Sequence, residues 1–113
     1  MSELVIDNPY TLEQAVRLPL AEGAEVERVL DAAVAAARAW AGSSLSERAA
    51  LCARAMEQME AQAEAIAADI TRMMGKPLRQ ARNEVAGMAK RARHMISIAE
   101  ASLADVMLPL EGF

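Results

Sequence analysis

The sequence predicts a mostly α-helical chain in which a short N-terminal β-hairpin precedes three amphipathic helices, the last two forming an antiparallel hairpin. Three observations predict it. Apolar residues recur at alternating steps of three and four along 45–74 and again along 77–106, which places them on one helix face. Gly75-Lys76-Pro77 separates those stretches and has the chemistry of a turn between helices. Near the start, Asp7-Asn8-Pro9-Tyr10-Thr11 reads as a turn between two short runs of β type.

The hairpin occupies 1–22. Leu4-Val5-Ile6 is its first strand and 15–20 its second, with Pro19 marking an edge or an end because it has no N–H to donate. A hairpin this small is marginal unless it packs on something. The first helix spans 24–42, with Val26, Leu30, Ala33, Ala37 and Trp40 on one face and Gly42 as its stop. The second, 45–74, begins at a capping box, in which the Ser44 hydroxyl and the Glu47 carboxylate each satisfy a free backbone N–H. Its stripe is Ala49, Cys52, Met56, Met59, Ala63, Ile66, Ile70 and Met73. Gly75 suits the left-handed residue past that helix, and Pro77 suits the first turn of the third, 77–106. The third stripe is Ala81, Val85, Met88, Ala92, Met95 and Ala99.

At 113 residues the chain has room for one small domain. Hydrophobic residues make up 54% but aromatics only 3%, so the core is built of Ala, Val, Leu, Ile and Met and is marginal alone. The net charge of −4 argues against nucleic acid and against an anionic membrane surface as partner. The longest apolar run, 32–37, is far short of a membrane span, and Met1-Ser2-Glu3 lacks the basic start of a secretory signal. A cytoplasmic protein is the simplest expectation, and the lone Cys52 agrees, since it has no internal disulfide partner.

The reactive residue types resolve into structural readings. Cys52 sits on the apolar stripe with no spacing that ties it to the only histidine, His94, so it is expected as a buried packing residue and His94 as a solvent-edge one. Gly23, Gly42, Gly75, Gly87 and Gly112 are too far apart to build a phosphate loop. Arg79, Arg82, Lys90, Arg91 and Arg93 lie largely off the third stripe. Either they bind an anion or they face the acidic second helix at Glu57, Glu60, Glu64 and Asp69, and the second account is the simpler. Met56, Met59, Met73 and Met88 are expected to pack rather than to line a groove. No catalytic, cofactor-binding or metal-binding residue is assigned.

The landmarks nevertheless occur in a familiar order. Asn8-Pro9, Thr11 and Pro19 resemble the opening "NPxT…vP" hairpin of the aldehyde dehydrogenase superfamily, and the alanine-rich run 32–39 closed by Trp40 resembles its first helix. Ser46-Glu47-Arg48-Ala49-Ala50-Leu51 resembles the start of its second helix. Gly75-Lys76-Pro77-Leu78 followed by Glu84-Val85 and Arg93 resembles its "GKPL…EV" junction. Pro109-Leu110-Glu111-Gly112 resembles the segment leading into its oligomerisation arm. Two departures stand out: Met73-Met74 replaces the usual Glu-Thr, and His94-Met95 replaces two aromatics. The resemblance implies that 1–113 is the N-terminal part of an α/β coenzyme-binding domain, with 107–113 leading into the arm. It implies a parent enzyme that oxidises aldehydes to acids with NAD or NADP. Its cofactor strands, general base and nucleophile would lie downstream, so this chain alone would be inactive, with the remaining domains as its partners and self-association as its fate in isolation. The alternative is a self-standing helical-bundle interaction or oligomerisation module.

Overall fold

A computed structural model of the chain describes residues 2–109. Two antiparallel strands, β1 (Glu3–Asp7) and β2 (Gln14–Pro19), precede four helices, α1 (Gly23–Ala41), α2 (Leu45–Ala61), α3 (Ala63–Met74) and α4 (Leu78–Ser102). The strands pair from Glu3 with Pro19 to Asp7 with Gln14, with a bulge between Ile6 and Asp7. Asn8 builds the turn: its Oδ1 accepts the backbone N–H groups of Tyr10 at 2.9 Å and Thr11 at 3.3 Å. Leu12 adopts a left-handed conformation, φ 62°, at about 1 kcal/mol of local strain.

The capping box at α2 forms as the sequence predicts. The Glu47 carboxylate accepts the Ser44 N–H at 2.7 Å, and the Ser44 Oγ accepts the Glu47 N–H at 3.2 Å. Ser44 holds the Glu47 carboxyl below the usual carboxylate range, first through that backbone N–H and then through its hydroxyl.

Three expectations change. The single helix over 45–74 is two, broken at Gln62 (φ −106°, ψ 13°), whose N–H turns back to Met59 O at 3.2 Å in a tighter, three-residue closure. The break lets α2 and α3 both lie along the 25-residue α4. The last helix ends at Ser102 rather than 106, and Pro77 is its N-cap rather than part of its first turn. Residues 107–109 have no regular structure, and 110–113, the rest of the segment expected to lead into the arm, lie outside the described residues.

The core is small and made of small side chains. Ala67, Ala81 and Val85 are buried with Ala63, Ile66 and Ile70 packed against them, and Ala89 continues the line on α4. The packed face of α4 therefore runs through Ala89 rather than Met88, which is exposed, as is Met95. Alanines at the crossing let the helix backbones approach closely, and longer side chains move to the flanks.

The α3–α4 turn carries a contact between two distant turns. Gly75 closes α3 at φ 71°, and a Cβ built there would lie 2.7 Å from Pro9 Cγ of the hairpin turn. Gly75→Ala is therefore expected to destabilise the α3–α4 unit by about 1–2 kcal/mol in a urea titration, through the left-handed backbone and the clash together. Pro9→Ala should recover part of the loss in the double variant, and full additivity would show that the hairpin does not sit on this turn.

Helix α1 stands apart. Every one of its 19 residues is exposed, and it packs to no substantial extent on any other element. The radius of gyration is 20.4 Å, against about 13 Å for a compact domain of this size.

Candidate functional site

The surfaces available for function are built by α4 and what faces it. On the α3 side, Arg82 grips Glu64 with Nε at 2.9 and 3.0 Å and Nη2 at 2.7 Å. On the α2 side, Arg93 pairs with Glu60, its Nη1 donating at 2.6 Å. Each guanidinium holds its partner carboxyl below the usual carboxylate range, chiefly by hydrogen bonding, and is itself raised. The expected pairing of the basic cluster with the acidic second helix thus holds for Glu60 and Glu64. Asp69 instead pairs with Arg72 on its own helix at 3.0 Å, and Glu57 makes no ion pair among the described residues. Lys76 pairs with Glu84, so the Gly75-Lys76-Pro77 turn spends its cation inside the fold.

Three members of the cluster are left over. Arg79, Lys90 and Arg91 have no acidic partner among the described residues. Lys90 and Arg91 line a shallow depression of about 340 Å³ with Gly87, His94 and Met95, all from α4. His94 is exposed, as the sequence predicts.

Cys52 is not buried. It is exposed at the edge of an apolar groove between α2 and α4, with Ala55, Met56, Ala92, Met95 and Ile96. The reason is the register of α2: Ala53 is more shielded, while the Cys52 position faces a groove that nothing in this chain fills. No hydrogen bond joins Cys52 to His94 among the described residues. Met59 and Met88 border a second apolar depression with Ile66, Ile70 and Val85, so part of the methionine set lines open surface rather than core.

Among the described residues no group of three or more His, Cys, Asp or Glu side chains is placed to hold a metal. Among the described residues no helix is long and apolar enough to cross a membrane. The only sheet described is a two-stranded antiparallel one, the Gly75 N–H is committed to Thr71 O at 2.9 Å, and Lys76 is committed to Glu84.

Comparison with known proteins places this geometry. The sequence profile of the aldehyde dehydrogenase family matches residues 2–112. A succinate-semialdehyde dehydrogenase [NADP(+)] of Deinococcus radiodurans is 42% identical over 79 residues, 70% of this chain and 17% of that protein. A succinate semialdehyde dehydrogenase [NAD(P)+] of Escherichia coli is 40% identical over 82 residues, 73% of this chain and 18% of that protein. The crystal structure of aldehyde dehydrogenase 21 from Physcomitrella patens, in complex with the reaction product succinate, superposes with a TM-score of 0.87 at 29% identity. That match covers 97% of this chain and 23% of the other. The chain therefore spans less than a quarter of the length of these relatives.

Proposed function

The chain belongs to the aldehyde dehydrogenase family, and we propose that it is the N-terminal structural part of an NAD(P)-dependent enzyme that oxidises a semialdehyde to the acid. The observation that carries the structural role is area. The chain exposes 9342 Å², whereas a folded monomer of its 12.1 kDa exposes about 6,000 Å². The excess, about 3,300 Å², is several times the roughly 800 Å² that one partner contributes to a standard interface. The remaining coenzyme-binding and catalytic domains are the proposed cover. A self-standing helical module would need α1 covered from within, and all of α1 is exposed. The semialdehyde substrate and the nicotinamide cofactor rest on the relatives, which act on succinate semialdehyde with NADP or NAD(P) by name.

The test is to read the frame past the Phe113 codon, express the whole product, and follow reduced nicotinamide with succinate semialdehyde. Turnover by that product, with none by the 113-residue chain, is the expected result. A stop codon after Phe113 together with a stable monomeric product would overturn the reading.

A further inference from the structure

We draw no further inference here: the strongest candidate, the open apolar groove between α2 and α4 with Cys52 at its edge, carries nothing further, because nothing in the structure shows what covers it.

Discussion

Ala81→Asp is expected to separate α3 from α4, destabilising the unit by about 3 kcal/mol or more. Ala81 is fully buried between those helices beside Ala67 and Val85, with room for a methyl group and no more. An aspartate there has two consequences. Its larger side chain pushes apart helices that approach through alanine, and its charge has no water and no placed partner. Ala86→Asp supplies the control, because Ala86 lies on the same helix, is exposed, and incurs the same loss of helix propensity. Urea titration followed by far-UV circular dichroism should show a large loss for Ala81→Asp and less than about 1 kcal/mol for Ala86→Asp. Equal losses would mean that α4 is held by propensity and not by this crossing. Ile66→Asp, the change the apolar stripe alone points to, is expected to cost less, because Ile66 is only half-buried.

The contrast between Ala81 and Met88 shows what the sequence carries and what it does not. Signals that close within four residues were legible: the Ser44–Glu47 box, the left-handed Gly75 and the Asn8 turn all form where the residue types place them. Periodicity also found both long amphipathic stretches. It selects large apolar residues, however, and so favoured Met88 over Ala89, whereas close helix crossings select small ones. The break at Gln62 left no trace, because a one-residue tightening does not interrupt a stripe that already alternates threes and fours. Opposite charge on facing helices was legible as a whole, but which acid meets which base depends on the axial offset of the helices. That offset pairs Glu60 with Arg93 and Glu64 with Arg82 and leaves Lys90 and Arg91 over. The candidate site is what remains after subtraction, so only coordinates reveal it. Contact between Pro9 and Gly75 is likewise a property of two turns that are 66 residues apart and individually plain.

The isolated 113-residue chain is expected to be strongly helical in far-UV circular dichroism and yet to self-associate, or to melt without a sharp transition. Val26, Val29, Leu30, Val34 and Trp40 on α1 are 42–54% exposed, and the groove beside Cys52 adds a further open apolar surface. Monomeric soluble proteins rarely expose contiguous apolar patches beyond a few hundred Å². The surface of this chain exceeds that of a compact monomer by about 3,300 Å², several times what one partner contributes to a standard interface. Sedimentation and a thermal melt together measure the outcome. Leu30→Glu with Val34→Glu should lower the association without reducing helical content near the core, because α1 contributes no buried residue. A monodisperse monomer with a steep two-state melt would mean that the small alanine core at Ala67, Ala81 and Val85 suffices to hold the chain together. In that case the helical module, and not the enzyme scaffold, would be the better account of what this sequence was selected to form.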